Sequence, residues 1–247
     1  MHYIDDFALN VSRGLVKGTT AVHVLGYNPQ LDTTTDPETI WSYGGVYPWS
    51  TLTAANTVYV VSANTSDTMS VVIEGLDNNY ASQSETIVLN GTTHVATTKK
   101  FLRINDAYTY DTNPNVGNIT FKLANTSGTV IDQIPAGYGH NTTAIYTIPA
   151  DKTAYLYLGD CSVNLSKDVT IVFRARRHNS SFQVAHVVEL TSGFYNYKFP
   201  FPSALPPKTD LEVYAINVGD NNTRVACNFD LLLVDTPYGN NSSGYLA

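Results

Sequence analysis

Residues 57–76 read TVYVVSANTSDTMSVVIEGL. Two short runs rich in Val, Ile and Thr alternate apolar and polar side chains, and a stretch of Asn, Ser and Asp separates them. That pattern has the two-residue period of a half-buried strand and no trace of a 3.6-residue period. It continues downstream. SETIVLNG (84–91), TTHVATT (92–98), FLRINDAYTY (101–110) and GNITFKLA (117–124) have the same form, each bounded by Asn, Asp or Gly. Asn90-Gly91 lies between two such runs and predicts a two-residue hairpin turn, because Asn-Gly tolerates the positive φ angles that turn requires. After IPAGYGHNTT a second series follows, ending in the nearly continuous apolar run RVACNFDLLLVD (224–235), as for a strand buried on both faces. Pro149, Pro200, Pro202, Pro206 and Pro207 fall between runs, where a missing ladder donor costs nothing.

The fold class that follows is all-β. MSVVIEGLDNNYASQSETIVL and VTIVFRARRHNSSFQVAHVVEL share an order of strand, Asn-bearing turn and strand, so we expect two tandem antiparallel β-sandwiches of jelly-roll type. The expected divisions are an extended N-terminal arm (1–49), a first sandwich (50–140), a second sandwich (141–236) and a flexible or partner-ordered tail (237–247).

The chain has 247 residues, only 14% of them charged, and a formal net charge of −7. That balance excludes a phosphate-binding stripe, and no nucleic-acid partner is expected. The densest basic stretch is FRARRHN. Strand alternation puts Arg174 and Arg176 on one face, which reads as one edge of a sheet or a subunit contact. No window has the length and apolarity of a membrane span, and MHYIDDFALNVSRG lacks the basic start and apolar middle of a signal peptide, so synthesis in a cytosol and no membrane partner are expected. On that expectation the eleven N-x-S/T sequons read as turn Asn followed by strand Thr. Cys161 and Cys227 lack metal or redox spacing and read as buried free thiols, with a single disulfide the alternative.

No catalytic, cofactor or metal motif stands out. Glu74, Glu85, Glu189 and Glu212 are the carboxylates a glycosidase pair would draw on, but each lies in or beside a strand where alternation makes it solvent-facing. The six histidines are scattered, and the Asp/Asn loops LDNN, DTNPN and GDNN lack calcium-loop spacing. The residues most suggestive of a binding role lie in ETIWSYGGVYPW (38–49). Both tryptophans of the chain are here. In an extended segment Trp41, Tyr43, Tyr47 and Trp49 share one face, which could anchor the arm to the first sandwich, dock a subunit or stack on sugar rings. The tyrosines of GFYNYKF offer a second sugar-stacking surface.

YNPQLDTTTDPETIWSYGGVYPW (27–49), VVIEGLDNNYASQSETIVLNGTTHVATTKKFLRINDAYTY (71–110), YTIPADKTAYL (146–156), PPKTDLEVYAINV (206–218) and FDLLLVD (229–235) together resemble a group of tailed-phage virion proteins of the marine type. The resemblance spans nearly the whole chain and rests on turn and strand motifs. It departs at Asp106, which follows RIN where the group commonly carries Arg. It implies a non-enzymatic particle component, a head decoration, cement or fibre-like subunit. Its partners would be copies of itself, with a trimer expected, and other virion proteins such as the major capsid protein. Assembly would take place in the host cytoplasm, and no cofactor is implied. The alternative is a receptor- or carbohydrate-binding module with a glycan partner.

Overall fold

The computed structural model describes residues 6–236, and the tail expected at 237–247 lies outside them. A short helix α1 (Phe7–Ser12) precedes strands β1 (Thr19–Leu31), β2 (Glu38–Thr39), β3 (Asn56–Ser62), β4 (Ser70–Leu76) and β5 (Ser82–Val88). Then come β6 (Val95–Phe101), β7 (Arg103–Tyr110), β8 (Ile119–Leu123), β9 (Val130–Ile134) and β10 (Ile145–Thr147). The last five are β11 (Lys152–Arg176), β12 (Gln183–Lys198), β13 (Ala204–Leu205), β14 (Asp210–Ile216) and β15 (Thr223–Asp235). All pairings are antiparallel. The all-β class is therefore observed directly.

Two apolar cores organise the molecule. In the first, the sheet β6-β3-β8-β9 packs on the sheet β5-β4-β7. Alternation supplies its contacts: Val58 and Val60 of β3, Val71 and Ile73 of β4, and Ile119, Phe121 and Leu123 of β8 all point inward. The Asn90-Gly91 turn forms, with the Thr93 N–H donating to the Asn90 carbonyl at 2.9 Å, but it does not close a hairpin. β5 and β6 belong to different sheets. The turn is the arch that carries the chain from one sheet to the other, and Gly91 (φ +54°) is needed there because a Cβ would sit 2.7 Å from the Thr65 carbonyl oxygen.

The second core is wrapped by one bent sheet. β11 pairs β15 over its first half and β14 over its second, both on one side, while β12 runs along the other. The sequence suggests separate strands at AIYTIPADKTAYLYLGDCSV and DVTIVFRARR. They are one continuous strand, because the intervening Asn164–Lys167 holds no proline or glycine and is absorbed as a register shift between Val163 and Asp168. Positive φ at Ser166, at Ser192 and Gly193, and at Asn217 and Asn222 marks the same corner in β11, in β12 and between β14 and β15. The two halves then face each other over Leu156, Cys161, Ile171, Val213, Cys227 and Phe229. Residues 19–31 are a full strand of this sheet, paired with β15 from Thr19↔Val234 to Leu31↔Thr223. Residues 19–49 thus contribute to the second core as well as reaching toward the first.

Candidate functional site

The segment 38–52 passes between the two cores. Glu38 and Thr39 pair with Ala215 and Tyr214 of β14. The chain then leaves the sheet through a tight loop in which Gly44 (φ +81°) and Gly45 (φ +76°) take left-handed conformations that L side chains resist. The loop is closed by the Thr39 N–H donating to the Gly45 carbonyl (3.1 Å), the Gly45 N–H to Glu38 Oε2 (2.7 Å) and the Trp41 Nε1–H to the Gly45 carbonyl (2.9 Å). It is not the extended run that odd-numbered aromatics suggest. Trp41, Tyr47 and Trp49 nevertheless converge, packing edge to face with centroids 5.2 and 4.8 Å apart. They are 1%, 2% and 8% exposed, which leaves no open aromatic platform. Tyr43 alone is exposed, at 51%, with its ring 5.3 Å from that of Trp41.

Below this aromatic stack lies a cluster of charges. Arg174 and Arg176 of β11 are register partners of Glu212 and Asp210 on β14. At Arg174 β11 is flanked on both sides, by Val184 of β12 and Glu212 of β14, so this arginine is interior to the sheet and not on its edge, while Arg176 ends the strand and pairs with β14. Arg174 Nη2 lies 2.7 Å from Glu212 Oε2, and Arg176 Nε donates to Asp210 Oδ2 at 3.0 Å. From the other core, Arg103 at the start of β7 forks onto the same Asp210, with Nε to Oδ1 at 3.0 Å and Nη2 to Oδ2 at 3.3 Å, while its Nη1 donates to the Leu52 and Leu102 carbonyls. Thr147 and Thr39 hydroxyls donate to Asp210 and Glu212 at 2.6 Å, and Trp49 Nε1–H donates to Glu212 at 2.9 Å. The guanidinium groups interleave with rings: Arg103 and Arg176 lie 5.3 and 5.2 Å from the Trp49 centroid, and Arg174 lies 4.5 Å from Phe182 and 4.2 Å from Tyr214.

Glu212 is wholly buried. Alternation alone had made it solvent-facing; it faces inward because Arg174, Trp49 and Thr39 all donate to it, so burial leaves it paired. Glu74 and Glu189 are exposed as expected. Glu85 accepts from the Thr98 and Lys99 N–H groups, both at 2.8 Å, clasping β6 to β5. Burial pushes the Asp210 carboxyl up, but the Arg103 charge and hydrogen bonds from Arg103, Thr147 and Arg176 outweigh it and hold the group below the usual carboxylate range. Burial pushes the Tyr47 phenol well above its ordinary value. Every carboxylate oxygen in this cluster is taken by fixed donors. Such groups tie β11, β14, β7 and the 38–52 segment to one another.

Arg103 and Asp210 were not picked out from the sequence, although both left a signal. Arg103 interrupts the otherwise apolar FLRI, and the i, i+2 acids of TDLEV mirror the i, i+2 arginines of FRAR.

A second polar group lines an open cleft of about 530 Å³ between β1 and the sheet β5-β4-β7. Glu74 and Asp106 are register partners across β4 and β7, and His140 Nε2 lies 3.1 Å from Asp106 Oδ1. His140 Nδ1 is 2.8 Å from the Asn141 carbonyl, a contact only a protonated Nδ1 can make as donor. The Asp106 hydrogen bond raises His140 to about 8. Behind it Asp132 is fully enclosed and accepts from Thr143, Asn141 and the Gln133 N–H at 2.6 to 2.9 Å, while burial raises it to about 6. Among the described residues no group of three His, Cys, Asp or Glu is arranged to hold a metal ion.

No protein-family model and no curated protein matches the chain. Among solved structures it is similar to the PBSX exported protein XepA, at 8% identity over 85% of this chain and 84% of that one, with a TM-score of 0.22. It is also similar to the VP2 subviral particle of infectious bursal disease virus (10% identity, 94% and 75% covered, TM-score 0.22) and to the Gt strain of that virus (10%, 91% and 74%, 0.26). Superpositions this loose carry no argument about what the chain does.

Proposed function

We propose that the chain is a non-enzymatic virion structural protein, a decoration, cement or fibre-like subunit of a tailed phage that binds copies of itself and neighbouring virion proteins such as the major capsid protein. The observation that carries this reading is the ribbon of β11 and β12. Among the described residues β12 pairs only with β11, so its other edge is open over 16 residues, and its outward face carries Val184, Val187 and Phe194. Leu165 at the corner and Phe201 beyond the ribbon are 84% and 91% exposed. Long open edges with apolar faces pair with other chains unless something blunts them. A second copy is the occupant we assign, with three-fold closure. The division into sandwiches at 50–140 and 141–236 is part of this reading, with β1 supplied by the N-terminal segment. So is the role of Trp41, Tyr47 and Trp49 as an anchor between the cores.

Light scattering on a sizing column tests it. The full chain is expected at a multiple of its 27.0 kDa mass, three-fold on this reading. The variant Val187→Lys/Phe194→Lys is expected to elute as a folded monomer. A monomeric full chain would overturn self-association.

The polar cleft favours a second reading, a carbohydrate-binding module. Its expected result is glycan capture on an array, lost in Glu74→Gln/Asp106→Asn.

A further inference from the structure

The two cysteines of the chain are direct register partners. Cys161 of β11 faces Cys227 of β15 in a ladder that continues unbroken on both sides, through Asp160↔Asn228 and Ser162↔Ala226. Both are free thiols buried in the second core, and they are hydrogen-bonded to each other. Antiparallel partners hold their Cα atoms about 4.5 to 5.5 Å apart. A disulfide needs roughly 4.4 to 6.8 Å. The register therefore puts the two Cα atoms within the separation a disulfide spans. Both thiols also line an apolar cavity of about 40 Å³ with Ile171, Phe173, His186 and Phe229, which leaves space for a sulfur to change rotamer and for a molecule no larger than a peroxide.

We propose that Cys161 and Cys227 are a latent intramolecular disulfide site, reduced when the chain is made and closed by a small peroxide once the protein leaves a reducing compartment. Cys161, the less buried of the two, is oxidised first. Its sulfur takes one oxygen from hydrogen peroxide to give a sulfenic acid and one water. The Cys227 sulfur then attacks that sulfenic sulfur, the S–S bond forms, and the hydroxyl leaves with the Cys227 proton as a second water. Two thiols are oxidised and one peroxide is reduced to two waters. Desolvation, together with the hydrogen bond that the Cys227 S–H donates to the Cys161 sulfur, raises the Cys227 thiol, so closure is slow and needs an oxidant small enough to enter. The bond would close residues 161–227 into a loop containing β12, β13 and β14, and would fix β11 to β15 when the denatured chain would otherwise release them.

The test uses the full chain treated with hydrogen peroxide, then unfolded in guanidinium with an alkylating reagent. The expected intact mass is about 2 Da below that of the untreated, unalkylated chain, with no alkyl group added and the 161–227 link recovered by peptide mapping. The unfolding midpoint is expected to rise by roughly 5 to 15 °C and to return with dithiothreitol. Cys161→Ser should show neither effect, and Cys161→Ala serves if the serine variant does not fold. Two alkylated cysteines after treatment, sulfinic acids without a link, or a bond between chains would each overturn the proposal.

Discussion

The junction between the cores and the β11–β12 ribbon treat side chains in opposite ways. At the junction, charged residues are buried and every carboxylate oxygen meets a donor. On the ribbon, apolar residues lie in the open and a strand edge lacks a partner among the described residues. A buried, fully paired charge cluster resembles an active site on paper, yet here each pair ties one strand or core to another. The exposed apolar ribbon resembles ordinary strand in sequence, yet its exposure is the observation on which the proposed self-association rests. On the proposed reading the charges hold the fold together and the hydrophobic surface is left for assembly.

The sharpest way to break that contrast is Asp210→Ala. It leaves Arg103 and Arg176 facing one site without an anion, and should lower stability by about 3–5 kcal/mol in urea unfolding. A loss below about 1 kcal/mol would mean that the junction is ornamental. Trp49→Phe keeps the ring but removes the donor to Glu212, and a cost of about 1–3 kcal/mol is expected for the acceptor left short.

Acid titration sharpens the comparison further. Asp132 has a raised value, so its contribution is present in full below about 4 and is lost as pH rises through about 6. Stability should therefore fall from pH 4 to 6 by up to ~1.4 kcal/mol per pH unit, and the slope should vanish in Asp132→Asn. Asp210 has the opposite sign. Its value is depressed, so its contribution is present above about 4 and is lost as pH falls through its lower folded value. Melting curves from pH 3 to 7 separate the two. At the ribbon, Val187→Lys/Phe194→Lys should change stability by no more than about 0.5 kcal/mol per site while changing the solution mass. An equal loss of stability there would make the ribbon part of the core.

Strand periodicity made the all-β class legible, and the proline positions marked where strands end. What periodicity could not reveal was continuity. Residues 152–176 read as two strands because Asn164–Lys167 looks like a turn, and only the pairing with β12 and with β14 and β15 shows a bend in one strand. The Asn90-Gly91 turn was visible, but not which sheets it joins, since turn chemistry is local and sheet membership is not. The aromatic residues of 41–49 were recognisable as a unit. Their burial against Arg103 and Glu212 was not, because those partners lie 51 and 163 positions away from Leu52 and Trp49 respectively.

The central claim is that the charge and tryptophan cluster exists to join two cores. Both tryptophans belong to the first core and both cysteines to the second, so guanidinium unfolding followed by tryptophan fluorescence and by thiol labelling reads each core separately. The account predicts coincident midpoints in the natural chain and separated midpoints in Asp210→Ala. Midpoints already separate in the natural chain, or still coincident in the variant, would contradict it.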